Sequence, residues 1–283
     1  MIYQSSAAFK RSSLEEINSL LQNTNIKSLE LSGGPYQDDL EQKLNKLKKN
    51  FNLALHNYYP VPKVPFVFNL STQNEELREI CINHAKKSID LSSSVGSDIY
   101  SFHAGFLLDP KPEDLGNLKN NLKQIDRNTG LNNFFKNLHE IAAYAATKGV
   151  KIMIENNVVS RSTYERFNGN PLLLSEPEEA KIFVNSIPSN VYFLCDYAHL
   201  KVSSKSIDFP SIKFLEIIES HLIGAHLSDN NGIDDQNIEF TEKAWFFDVL
   251  PKDLDYYSIE VYKSEVSLLE KCNTILKNFL END

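Results

Sequence analysis

Carboxylates and imidazoles recur in this chain at one kind of place, the last residues of short apolar runs. Glu30, His56, His103, Glu155, Asp196 and Glu260 each stand at or next to the end of such a run. His226 does the same, with Asp229 three residues on, and His199 follows Asp196 by three. Unpaired carboxylates are costly to bury. Acids and imidazoles gathered at one point repel or strongly shift one another's pKa values. A divalent cation removes that penalty. Mixed carboxylate–imidazole donors suit Zn, Mn, Co or Fe rather than Ca. Zinc takes four ligands, often with a position left for substrate or water. A divalent metal ion is therefore the expected cofactor, its identity left open among those four.

The elements that must position these groups follow from the same runs. Short apolar runs bounded by turn signals mark buried parallel strands. Eight are expected, at Ile2–Phe9, Ile26–Leu31, Phe51–His56, Asp98–His103, Val150–Glu155, Val191–Asp196, Leu222–Leu227 and Tyr256–Val261. Helical patterns fill the gaps. Ser13 with Glu16 makes a capping box before Leu14, Ile17, Leu20 and Leu21. Thr72 with Glu75 opens a helix running to about Leu91, and Ser175 with Glu178 opens another. Leu131–Lys148 has apolar residues at helical spacing, with Gly149 where a C′ glycine belongs. Ser264 precedes a last amphipathic stretch ending at Leu280. Strands alternating with helices mean an α/β fold with a parallel sheet. Polar residues at nearly every strand end select a closed (β/α)8 TIM barrel over an open sheet, because only closure brings them to one mouth. The irregular stretches Asn57–Asn69, Leu107–Arg127, Val158–Leu174 and Asn230–Asp253 all follow a strand and would line that mouth. With no linker or repeat, residues 1–283 read as one domain.

Composition bounds the partners. The net charge of −9 disfavours nucleic acid and anionic membranes, which require a positive face. The basic clusters Lys46–Lys49 and Lys86–Lys87 fall on helices away from the mouth. Three dispersed cysteines, Cys81, Cys195 and Cys272, imply neither a disulfide framework nor a thiolate zinc site. Met1–Lys10 is too short and polar for a signal peptide, and no run reaches membrane-span length. A cytoplasmic protein is expected. His84, His139 and His221 lie in or beside helical stretches and read as structural or surface groups.

Five segments carry a family likeness. They are Leu55-His56-Asn57-Tyr58-Tyr59-Pro60, Ser101-Phe102-His103-Ala104-Gly105-Phe106, Ile154-Glu155-Asn156-Asn157, Cys195-Asp196-Tyr197-Ala198-His199 and Ala225-His226-Leu227-Ser228-Asp229-Asn230. In this order the chain resembles the xylose isomerase-like superfamily from about Glu30 to Glu260. That group includes sugar phosphate isomerases and epimerases and the endonuclease IV nucleases. The resemblance implies a metal held by Glu155, Asp196, His226 and Glu260, with Glu155 and Glu260 also the acid/base pair. It implies that His56, His103 and His199 hold further metal or substrate, with Asp229 and Asp235 beside them. In the nucleases an Asp-x-His pair follows the seventh strand; here the stretch reads Asp235-Gln236-Asn237, and an amide is a poor zinc ligand.

The reaction so implied is proton abstraction next to a carbonyl, through a metal-stabilised enediolate, on a sugar or sugar phosphate. Glu155 and Glu260 come from strands three apart and would flank the substrate. Glu30, Arg161 and Trp245 are candidate substrate contacts: Arg161 for a phosphate, Trp245 as a cover over a sugar ring, Glu30 as a contact or the partner of a cation. The alternatives are a related lyase, an endonuclease IV-like phosphodiesterase, and a non-catalytic sugar-binding protein. Barrels of this kind often pair, so a homo-oligomer is open.

Overall fold

The computed structural model of the chain describes residues 1–114, 122–262 and 265–282. Eight parallel strands close into a barrel in chain order, β1 pairing with both β2 and β8. They are β1 (Ile2–Ser5), β2 (Ser28–Leu31), β3 (Asn52–His56), β4 (Ile99–His103), β5 (Lys151–Glu155), β6 (Val191–Asp196), β7 (Leu222–Leu227) and β8 (Tyr256–Ile259). The helices are α1 (Leu14–Leu21), α2 (Leu40–Leu47), α3 (Glu75–Val95), α4 (Arg127–Thr147), α5 (Arg161–Arg166), α6 (Pro177–Val184), α7 (Tyr197–Ile207), α8 (Ser211–Ile218) and α9 (Val266–Glu281).

The two-residue period of each strand divides the core. Outward residues such as Leu53, Leu55, Ile152, Ile154, Phe193, Cys195 and Ile259 join the helices in one large apolar cluster. A small separate cluster of Tyr3, Ala54, Ile99, Met153, Leu194 and Tyr256 plugs the inside of the barrel. Moving two residues toward the strand ends from Ala54, Met153 and Leu194 reaches His56, Glu155 and Asp196. The interior thus changes from apolar to ionisable within one side-chain layer. Gly224 allows the plug: a Cβ there would lie 2.9 Å from both Leu194 and Met153 side-chain atoms.

Several ends differ from the sequence expectation. The first run stops being a strand at Ser5, because Ser5 Oγ caps a 3-10 turn over Ser6–Phe9. The eighth strand ends at Ile259, although Glu260 N still donates to Leu227 O and holds its residue to the sheet. Helix α3 is capped by Asn74, whose side chain accepts from Leu77 N, and it runs on to Val95. Thr72 instead accepts from Asn74 N and donates to Asp109. Helix α4 starts at Arg127, capped by Asp126, and ends on Gly149 at φ 67°, as its spacing foretold. Helix α6 starts at Pro177, whose fixed φ suits a first helical position. Ser175 accepts from Asn170 rather than capping it. Helix α5 falls inside the expected irregular stretch Val158–Leu174. It buries none of its residues, so it has no apolar period to reveal it. The capping box of Ser13 and Glu16 forms as expected. Ser264 lies outside the described residues.

Candidate active site

Glu155 ends β5 fully buried, and four imidazoles surround it. Its Oε2 lies 3.3 Å from His56 Nε2 and 3.5 Å from His103 Nδ1. Its Oε1 lies 3.4 Å from His199 Nδ1 and 3.5 Å from His226 Nδ1. Neither oxygen has a hydrogen-bond partner among the described residues.

The flanking groups are oriented from behind. His226 on β7 gives Nε2 to Glu30 Oε2 at 2.7 Å. Its unpartnered Nδ1 is left 3.3 Å from Glu260 Oε2. Tyr256 OH also donates to Glu30, so a buried carboxylate fixes the ring from inside the barrel, the arrangement that orients a ligating histidine. Asp196 ends β6 and caps α7: Oδ1 accepts from His199 N at 2.7 Å, while the buried Oδ2 has no hydrogen-bond partner among the described residues. Glu260 accepts from Tyr262 OH at 3.2 Å on Oε1, which leaves Oε2 toward His226. One ligand atom from each of Glu155, Asp196, His226 and Glu260 lies within 4.8 Å of the others, and all four residues are buried.

Burial and mutual charge strain this group. Burial raises the Glu155 carboxyl, but His103, His226 and His56 outweigh it and hold it well below the usual carboxylate range. Burial likewise pulls His226 down, and Glu30, Glu155 and Glu260 together drive it well above its ordinary value. Asp196 is pushed up to about 8, by burial and by Glu155, Glu260 and Asp235 against the pull of His199. Carboxylates thus outnumber the positive charge available to them. Orphaned oxygens of Glu155 and Asp196 together with an orphaned nitrogen of His226 are a donor set that a divalent cation fits.

The remaining candidates fall into two groups. His56 is held by Ser101 Oγ at 2.9 Å, and His199 stands 3.4 Å from Asp235 Oδ2. Asn237, which replaces the histidine of the nuclease pattern, donates to Asp235 at 3.1 Å and so steadies the carboxylate that His199 faces. Of these, His56 and His199 adjoin Glu155. The other group is Asp229, Arg161 and Trp245. Asp229 takes Lys201 Nζ at 2.6 Å and the Asn230 amide. Arg161 is exposed at the start of α5. Trp245 is half-buried, its ring 5.9 Å from that of Tyr197.

Three supporting residues carried no role in the sequence reading. Asn156 Oδ1 accepts from Asp196 N at 2.8 Å and its Nδ2 donates to Asp196 O at 3.0 Å, so it clips β5 to β6 beside both carboxylates. Asn157 Nδ2 donates to Ala104, Gly105 and Leu173 carbonyls and ties the following loops together. Two adjacent amides straight after a buried glutamate were the signal. Tyr256 could have been found by strand parity, since it lies inside β8 two residues before Ser258 and four before Glu260.

The sequence profile of the xylose isomerase-like TIM barrel family matches residues 19–264, most of the chain. The chain belongs to this family. Individual proteins resemble the chain as well. An uncharacterised protein of Methanocaldococcus jannaschii is 27% identical over 218 residues, 75% of this chain and 67% of its own. A solved D-tagatose 3-epimerase-like protein superposes with a TM-score of 0.71 at 23% identity, covering 99% of this chain and 97% of its own. An L-ribulose 3-epimerase does so with a TM-score of 0.72 at 15% identity, covering 99% and 94%. At such identities the likeness to the two solved structures is one of fold. Among the described residues no helix is long and apolar enough to cross a membrane.

Proposed function

We propose that this xylose isomerase-like chain is a divalent-metal-dependent sugar isomerase or epimerase that moves a proton on a carbon next to a carbonyl. The observation that carries the reading is the convergence of Glu155, Asp196, His226 and Glu260 at one buried point, with one glutamate ending β5 and the other directly following β8. The sugar 3-epimerases among its structural neighbours support the substrate class.

Glu155, Asp196, His226 and Glu260 would hold the cation, which supplies Lewis-acid stabilisation of the charge that develops as the proton leaves carbon. Glu155, whose two oxygens have no hydrogen-bond partner among the described residues, is the group placed to accept that proton. Glu260, from the other side of the barrel, returns a proton to the opposite face and inverts the carbon. Tyr262 and His226 steer the two oxygens of Glu260 during that exchange. Glu30, through His226, keeps the imidazole in one orientation.

The test combines metal analysis with proton exchange. Protein purified without chelator should carry roughly one tightly bound divalent ion per chain, the stoichiometry of a four-ligand site. It should exchange the proton next to the carbonyl of a ketose into heavy water. Glu155→Gln together with Glu260→Gln should lose both the metal and the exchange. Metal-free protein from such a preparation would sink the reading. His56, His103 and His199 around the same carboxylate favour a second reading, phosphodiester hydrolysis with more than one ion. Nicking of abasic duplex DNA far above a Glu260→Gln control would select it.

A further inference from the structure

A cleft of about 300 Å³ opens directly off the candidate centre. His103 joins the two: its Nδ1 lies 3.5 Å from Glu155 Oε2, and the same ring forms one wall of the cleft. The other walls are Tyr58, Phe66, Phe68, Phe106 and the prolines Pro65 and Pro112. Pockets that bury a small ligand begin at about 300 Å³, so this space is ligand-sized before the chelating group is counted. A larger depression of about 470 Å³ between α2 and α3 is lined by Leu40, Lys87 and Asp90 and carries none of the strand-end residues.

The walls are built, not loosely placed. Tyr58 OH accepts from Phe66 N at 2.7 Å, and the two rings pack with centroids 5.2 Å apart. Asn69 staples the loop after β3 to the loop after β4: its Oδ1 accepts from Phe106 N, and its Nδ2 donates to Phe106 O and Leu108 O. Gly105 lets the two loops touch, since a Cβ there would lie 2.1 Å from Ser71 Oγ. The cleft therefore exists before a ligand arrives.

The chemistry of its described lining disfavours a phosphate. No lysine or arginine lines it among the described residues, and its polar lining groups are Asn57, His103 and the Tyr58 hydroxyl, which Phe66 N already engages. A dianion seated there would lose its hydration with no cation to replace it. The hydroxyls of a bare sugar would fare little better against phenyl and prolyl carbons. An uncharged apolar group gains by burial on that same surface.

We propose that this cleft seats an apolar substituent of the substrate, an aryl or branched-alkyl group attached to the sugar away from the carbonyl. The substrate class is then a hydrophobic sugar conjugate rather than a sugar phosphate. This rests on the reading of the strand-end group as the sugar-handling centre.

A matched series tests it: 6-O-(4-fluorobenzyl)-D-fructose, D-fructose and D-fructose 6-phosphate, titrated into metal-loaded protein. Binding of the first is followed by fluorine NMR and of all three by calorimetry. The fluorobenzyl compound should bind at least about tenfold tighter than D-fructose, the scale set by filling an apolar pocket, and the phosphate no tighter than D-fructose. Phe106→Asp and Phe66→Ala, each checked for folding by thermal melting, should each remove most of that advantage. Equal binding of the benzyl compound and D-fructose by the wild-type protein, or tighter binding of the phosphate than of the benzyl compound, overturns the proposal without recourse to the variants. Proton exchange into heavy water is read on the same samples. Tight benzyl binding with no exchange by any of the three sinks the isomerase reading and leaves the cleft assignment standing. Exchange of D-fructose with no benzyl preference does the reverse.

Discussion

At the scale of residues, what distinguishes this chain is how much of its buried charge is arranged around Glu155. Glu30 supports the centre from inside the barrel, bonded to His226 and within 4.8 Å of a His56 ring nitrogen. Burial raises the Glu30 carboxyl, but His226 and His56 more than offset this and hold it at about 2, so it is ionised at any ordinary pH. Glu30→Gln removes the charge while keeping the shape. It should weaken divalent-metal affinity by about 10–100-fold, the usual cost of losing a partner behind a ligating imidazole, as read by competitive metal titration. A second residue gives a pH signature away from the centre. His84 is buried among Tyr58, Phe66 and Phe68, and that burial, with Lys87 nearby, lowers it from 6.5 to about 4. Above the unfolded value neither state is charged. As the pH falls from 6.5 toward 4 the unfolded chain takes up a proton that the folded chain refuses, so stability is lost. His84→Phe should shrink the loss of stability between pH 7.5 and pH 5 by roughly 2 kcal/mol, measured by urea unfolding at both pH values.

At the scale of elements, several loops after the strands are tied down by side chains, among the described residues. Asn69, Asn156 and Asn157 each answer carbonyls or amides from another segment, so the mouth is held by side-chain amides where the sheet ladder has ended. Gly105 shows how tightly two of these loops meet, with Asn69 Oδ1 2.7 Å from where its Cβ would stand. Gly105→Ala should cost about 1–3 kcal/mol, the range for overpacking a filled site, and should show as a lowered urea midpoint with an unchanged slope. Helix starts were misread for a related reason. Thr72 and Ser175 sit at plausible capping positions, but the tertiary structure uses their hydroxyls on Asp109 and Asn170 instead. Local sequence offers the cap, and another side chain, 37 residues on for Thr72 and five residues back for Ser175, claims the hydroxyl.

At the scale of the whole molecule, closure of the barrel forces Glu30, Glu155, Asp196 and Glu260 into one buried space against limited positive charge. If the proposed cation binds the folded chain alone, chelation should destabilise it. With free metal at 100 times its Kd, the folded state gains about 2.7 kcal/mol, so EDTA should lower the Tm and readdition of the metal should restore it. An unchanged Tm would show that the carboxylates are balanced within the chain. The same closure explains the apolar plug of Tyr3, Met153, Leu194 and Tyr256 below them: the inside of a barrel is a packed core, and only its last layer is free to carry chemistry.

The strand cores, their order and their polar ends were legible from the amino acids because each is a local signal. Apolar periodicity marks a buried strand, and an ionisable residue at its end breaks that pattern conspicuously. Glu30, His56, His103, Glu155, Asp196, His226 and Glu260 were all visible in this way. Which of them share a point, and which atoms face it, was decided by the tertiary structure. His226 offers Nδ1 because Glu30, 196 residues away, occupies Nε2. Asp196 offers Oδ2 because α7 takes Oδ1. Asp229 had the right residue type at the right spacing, yet Lys201 engages it. Which atom of each group stays free is set by which neighbour consumes the others, and those neighbours come from other segments of the chain. Residue type and spacing therefore named the candidates, and only the closed barrel assigned their atoms.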